Sequence, residues 1–116
     1  MKIELNYKND EQIFHIEEGG VPYLEYPLLS KTGVVNHGFS TRLGGVSEGY
    51  FSSMNLSFTR GDQEEAVREN FRRFTSAIGV RCEDLVFSKQ THTTNVRVVR
   101  EEDRGTGFTR ELDYTD

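Results

Sequence analysis

A mixed α/β fold is predicted by this 116-residue sequence, and three observations carry the prediction. Residues Asp62 to Gly79 repeat apolar side chains at a helical period, with charges on the other side. Short runs alternating apolar and polar residues stand before and after that segment, as half-buried strands do. Glycine- and proline-containing connections of loop length separate them. The apolar content suffices for one modest core, so residues 1–116 are read as part of one domain with no second domain.

Taken in order, Ile3-Glu4-Leu5-Asn6-Tyr7 alternates, Lys8 to Glu11 supplies a turn, and Gln12 to Ile16 resumes extended character. An N-terminal hairpin is expected there, because Asn9 and Asp10 tolerate left-handed backbone. Glu17 to Lys31 contains Gly19-Gly20, Pro22 and Pro27, and is read as irregular chain covering the core. Val34 to Ser40 is read as a strand. Thr41 to Phe51 follows as a glycine-rich loop. It lacks the Gly-Lys-Ser/Thr ending of a P-loop and the three-glycine spacing of a dinucleotide fingerprint, so its glycines are read as sharp turns. Arg42 beside them fits three roles: a solvated charge, a salt-bridge partner, or a binder of an anionic or carbonyl group.

For the helix, Asp62 is the expected N-cap, with Glu65 completing a capping box. Val67, Phe71, Phe74 and Ile78 form one apolar face. Glu64 with Arg68 and Glu69 with Arg73 are expected i,i+4 pairs, and Gly79 is expected to close the helix. Asn70 lies on the apolar side, where a buried amide must be hydrogen-bonded. It is read as a pin tying the helix to a neighbouring loop.

Beyond the helix, Leu85 to Ser88 and Val96 to Val99 read as two strands flanking a polar connection that carries His92. A histidine held between two rigid elements can reach a cleft as a metal ligand or proton carrier. A solvated turn histidine fits the same pattern. Glu101 to Phe108 is charged and turn-rich, and Glu111 to Asp116 brings no closing element.

A net charge of -5 argues against general affinity for nucleic acid or anionic membrane. No apolar run approaches the roughly 18 residues that span a bilayer, and no secretory signal is visible. The single cysteine, Cys82, excludes an intrachain disulfide framework. A cytoplasmic protein is expected.

Five stretches in register resemble one known family. They are His37-Gly38-Phe39-Ser40-Thr41-Arg42-Leu43-Gly44-Gly45-Val46-Ser47, Ser53-Met54-Asn55-Leu56-Ser57, Gly61-Asp62, Val67 through Arg73, and Gln90-Thr91-His92. In order and spacing they are similar to the laccase-domain, or multicopper polyphenol oxidase, proteins, better described as purine nucleoside phosphorylase-like zinc enzymes. The resemblance runs from about Val34 to about Val99. It implies a single α/β domain of roughly twice this length, with mixed β-sheets layered with helices, of which this chain looks like the N-terminal half.

For chemistry, the resemblance implies a catalytic zinc held by two histidines and a cysteine, with an open position for water or substrate. His92 inherits the role of first ligand; the other two are expected further along, in the C-terminal half. Cys82 lies where the family has no ligand and is read as an incidental thiol. Thr93 replaces the glycine that family members usually carry after the motif histidine. The implied reactions are phosphate-driven removal of the base from adenosine, inosine, guanosine or methylthioadenosine, and deamination of adenosine. Arg42 and Gln90 are the catalytic candidates, and Ser40 and Asn55 the substrate-binding ones. With one ligand of three, the chain alone is expected to lack activity. Copper-dependent phenol oxidation is the weaker reading, since three histidines and one cysteine fall short of a multicopper set. An amidase acting on a peptidoglycan precursor and a non-catalytic binding domain are further alternatives.

Overall fold

The computed structural model describes residues 14–112. Two compact units make up the chain, Met1–Gly79 and Val80–Asp116.

In the first unit, strands β1 (Phe14–Glu18), β2 (Val21–Glu25) and β3 (Phe39–Ser40) form an antiparallel sheet in the order β1-β2-β3. The strand and turn expected from Ile3 to Glu11 lie outside the described residues. The hairpin that is present joins β1 to β2: Phe14 to Ile16 of β1 lie in the run read as extended, whereas the turn and β2 lie in the stretch read as irregular. Glu18 pairs with Val21 across the two-residue loop Gly19-Gly20, and both glycines have positive φ, +56° and +78°. A type I′ turn demands that backbone and glycine supplies it without a Cβ clash. Pro22 does not disrupt β2, because β3 pairs with Tyr23 and Leu24 only, so no β3 ladder bond is lost at Pro22. Pro27 then opens the short helix α1 (Pro27–Ser30), where its fixed φ suits the first helical position. The strand expected over Val34 to Ser40 contracts to β3; Val34 and Val35 are exposed and outside any strand.

Helix α2 (Glu64–Ala77) buries Val67, Asn70, Phe71 and Thr75. These, with Val21 and Tyr23 from β2 and Met54, form the core of this unit. Tyr23 meets the Phe74 ring edge-on at 6.3 Å, and Phe58 stacks on Phe71 at 5.5 Å. Gly38 lets the chain pass: a Cβ there would lie 2.7 Å from Ile78 Cγ2. The expected capping box is corrected. Gln63 occupies the N-cap without a side-chain cap bond, and Asp62 stands one residue earlier, its carboxylate bonded by Ser47, Asn55 and the Gln63 amide. Glu64 and Glu65 still place negative charge at the helix N-terminus. Arg68 pairs with Glu64 at 3.0 Å and Arg73 with Glu69 at 3.5 Å. Because the helix runs on to Ala77, its last turn holds no basic residue. Gly79 follows the helix with φ +78°, its N–H donating to the Ser76 carbonyl.

In the second unit, neither Leu85–Ser88 nor Val96–Val99 forms a strand among the described residues. The first run is bonded to a turn instead of a ladder partner: Phe87 N–H donates to the Thr106 carbonyl and Gly105 N–H to that of Leu85. Val96, Val98 and Val99 are exposed. Among the described residues Cys82, Gly105, Thr106 and Phe108 are buried here, and Phe87 meets Phe108 edge-on at 6.5 Å. Gly107 permits that approach, since a Cβ there would sit 2.7 Å from Phe87 Cβ. Asp103 accepts from the Arg100 amide and from Arg97, both at 2.8 Å. The Arg100 amide outweighs partial desolvation and, with Arg97, holds its carboxyl below the ordinary aspartate value.

Candidate functional site

A cleft of about 440 Å³ opens in the first unit where β3 runs into the glycine-rich loop. Ser40, Thr41 and Arg42 form one wall, Tyr50 and Phe51 another, and Met54, Asn55, Ser57 and Arg60 complete it. The sequence candidates Ser40, Arg42 and Asn55 therefore come together here.

Arg42 organises the cleft with both its backbone and its side chain. Its carbonyl accepts from the Ser53 and Met54 amides, both at 2.9 Å, and from Ser53 Oγ at 3.1 Å. Its guanidinium donates from Nε to the Ser52 carbonyl and from Nη2 to that of Tyr50 at 3.0 Å. Of the five guanidinium N–H groups, three are left for another partner. Two of its donors are thus committed to backbone carbonyls of the loop. The 3-10 turn Gly49–Phe51 is thereby strapped to the exit of β3.

Asn70 reaches this loop from α2. Its Oδ1 accepts from the Val46 amide at 2.7 Å, and its Nδ2 donates to Ser47 Oγ and to the Asn55 carbonyl, both at 2.9 Å. The pin expected from sequence is present, and its partners are the two motif segments that frame the cleft. Gly45 passes against the same point: a Cβ there would lie 2.1 Å from the Ser53 carbonyl oxygen and 2.6 Å from Asn70 Oδ1. No residue but glycine fits. Ser47 and Asn55 also donate to Asp62, whose carboxyl is held below the ordinary 3.8 by Ser47 first, then Asn55, partial desolvation opposing and the Gln63 amide assisting. The Asn55 amide is thus bonded at both ends, its Oδ1 accepting from the Ser57 amide at 3.2 Å. It shapes the wall. Ser40 makes no side-chain hydrogen bond among the described residues.

Gln90 and His92 lie in the second unit. Gln90 Oε1 accepts the His92 amide at 2.7 Å, and His92 sits exposed at φ +60°. Left-handed backbone is uncommon for histidine and needs local support, which the Gln90 side chain gives. His37 has a structural part: its Nε2 accepts the Tyr26 amide at 2.9 Å, and its ring stacks on Tyr26. Among the described residues no three His, Cys, Asp or Glu side chains gather closely enough to hold a metal ion. The residues described do not by themselves make the implied zinc site.

Sequence reasoning missed Arg60, Tyr50 and Phe51 on the cleft wall and Asp62 as the hub of its polar network. Arg60 directly precedes the motif stretch Gly61-Asp62, a position that could have flagged both.

The family described as multi-copper polyphenol oxidoreductase laccase matches residues 36–115. The chain belongs to this family. A purine nucleoside phosphorylase of Bacteroides thetaiotaomicron is 37% identical over 76 residues, 66% of this chain and 28% of that protein. One from Deinococcus radiodurans is 38% identical over 77 residues, with the same shares of the two chains. The chain thus spans about 28% of the length of these relatives. Among solved structures, YlmD from Geobacillus stearothermophilus superposes with a TM-score of 0.71 at 29% identity, covering 83% of this chain and 35% of that one. YfiH from Bacillus licheniformis gives a TM-score of 0.61 at 33% identity, covering 68% and 31%. The laccase-family fold is thus a mixed α/β one, of which this chain carries a part. Among the described residues no helix is long and apolar enough to cross a membrane.

Proposed function

We infer that this chain forms the Arg42 cleft and supplies one metal-binding histidine of a purine nucleoside phosphorylase that splits adenosine, inosine, guanosine or methylthioadenosine with phosphate. Kinship over 76 and 77 residues with proteins named purine nucleoside phosphorylase carries the reading. The cleft suits it chemically. Phe51 and Tyr50 offer aromatic faces to a purine, the Ser40 hydroxyl can bond a sugar hydroxyl, and the unused N–H groups of Arg42 can hold phosphate oxygens. Asn55 and Asn70 fix residues 46–47 and 55–57 beside the cleft before substrate arrives, which lowers the ordering cost on binding.

In the balanced reaction, a phosphate oxygen bonds to C1′ of the ribose as the glycosidic C–N bond breaks. The base leaves with the bonding pair and takes up a proton. The part proposed for Arg42 is to neutralise the attacking phosphate and fix its direction. His92 would present an imidazole nitrogen to zinc, with Gln90 holding its backbone; a bound zinc would polarise an oxygen or activate water. The remaining ligands would come from outside the described residues, and adenosine deamination would draw on the same centre.

The test is chromatographic detection of free base from each nucleoside, with and without phosphate, alongside metal analysis, for this chain alone and for a chain of the relatives' full length. Phosphate-dependent base release with stoichiometric zinc is expected of the longer chain, and neither of this one. Base release that ignores phosphate, or stoichiometric zinc in the 116-residue chain, would contradict the assignment.

A further inference from the structure

Arg60 is the residue of the cleft that neither the polar network nor the core explains. It is exposed in the turn ahead of Gly61 and lines the same cleft as Arg42. Every other described arginine of this unit has a partner: Arg68 has Glu64, Arg72 and Arg73 share Glu69, and Arg42 has two carbonyls. Arg60 has none among the described residues. The acid next to it in sequence, Asp62, is taken by Ser47, Asn55 and the Gln63 amide. Among the described residues lining the cleft there is no carboxylate. Two guanidiniums thus share one cavity without a counter-charge. A neutral nucleoside would leave both uncompensated, whereas a phosphate dianion would neutralise them and accept from both planar forks.

We propose that Arg60 is a ligand-binding residue which, with Arg42, clamps a phosphate dianion in this cleft; this rests on the phosphorylase reading and adds the residue that selects for charge. The dianion has two chemical sources, inorganic orthophosphate or the phosphate of a nucleoside monophosphate. The guanidinium of Arg60 donates to its oxygens, and the neutral hydroxyl and aromatic walls leave room for the rest of the ligand.

Calorimetric titration of the protein at low ionic strength with orthophosphate, adenosine 5′-monophosphate and adenosine tests this, for the unmodified protein, Arg60→Gln and Arg60→Lys. Removing one charge-assisted contact should weaken phosphate binding by roughly ten- to hundredfold in Arg60→Gln, less in Arg60→Lys, and leave adenosine affinity unchanged. If orthophosphate carries the effect and the monophosphate binds no better than adenosine, the dianion is inorganic. If the monophosphate binds better than adenosine and loses that advantage in Arg60→Gln, it is a phosphomonoester. Equal phosphate affinities in the unmodified protein and Arg60→Gln, or binding of neither phosphate species, overturns the proposal. Because Arg60 has no protein partner among the described residues, the urea midpoint should not move, so a lost affinity is not a folding defect. The phosphorylase reading fails separately: base release would be absent from a chain of the relatives' full length while phosphate affinity still depends on Arg60.

Discussion

Replacing Asn70 by alanine tests the pin that holds the cleft together. Asn70 is fully buried and joins α2 to Val46, Ser47 and Asn55 through three hydrogen bonds. Truncation leaves the Val46 amide and the Asn55 carbonyl without their partner, while Ser47 Oγ keeps Asp62. Each orphaned, partly buried backbone group costs about 1–2 kcal/mol, so the variant should lose about 3 kcal/mol. With a urea slope of about 1 kcal/mol/M, the midpoint should fall by about 3 M at unchanged slope. Asn70→Asp keeps the acceptor for Val46 but sets a charge against the Asn55 carbonyl, and should be no milder. Arg72→Ala, which removes an exposed contact at 3.7 Å, serves as the control and should cost less than about 0.5 kcal/mol. If Asn70→Ala matched that control, the loop would be held by something other than this side chain.

Gly45→Ala should destabilise by about 2 kcal/mol or more, because its methyl would meet the Ser53 carbonyl and backbone cannot swing aside. Gly49→Ala meets no atom within 4 Å and should cost only the left-handed backbone, about 1–2 kcal/mol; thermal melts of both would expose an inverted order. Asp62 has a folded carboxyl below 3.8, so its contribution is present above that value and fades as pH falls through the lower, folded one. Stability curves from neutral pH into acid should therefore be flatter for Asp62→Asn, with the slope contributed by Asp103 remaining. Gln90→Leu should speed exchange of the His92 amide about fivefold, the loss of one ordinary hydrogen bond, while Gln90→Glu keeps an acceptor and the protected rate; equal rates would remove Gln90 from the support of that loop.

Helix α2 was legible because its apolar period runs for about three turns, from Val67 to Ile78, and needs no partner to be seen. Asn70 was legible for a related reason: an amide on an apolar face has few ways to be satisfied. The β1–β2 hairpin was missed although Gly19-Gly20 stood in the text, because Pro22 and Pro27 suggested irregular chain. Proline forbids only the ladder bond its own N–H would make, and β3 pairing begins past it. Over-reading occurred at Leu85–Ser88 and Val96–Val99. Alternation records which faces differ in polarity, and a strand also needs a neighbour at ladder distance. Asp62 shows how one good local signal can mislead: capping and network bonding draw on the same carboxylate, and here Ser47 and Asn55 hold it. The motif placed Ser40, Arg42 and Asn55 in one cleft but could not assign their tasks, since Arg42 spends two donors on carbonyls and Asn55 spends its whole amide.

Amide chemical shifts recorded while adenosine and phosphate are titrated together into the protein test the central claim most directly, that a purine nucleoside and phosphate occupy the Arg42 cleft. The largest changes should fall on Ser40, Arg42, Tyr50, Phe51, Asn55 and Arg60, and Arg42→Gln should abolish them. Shifts confined to other residues, or unchanged by Arg42→Gln, would contradict the assignment.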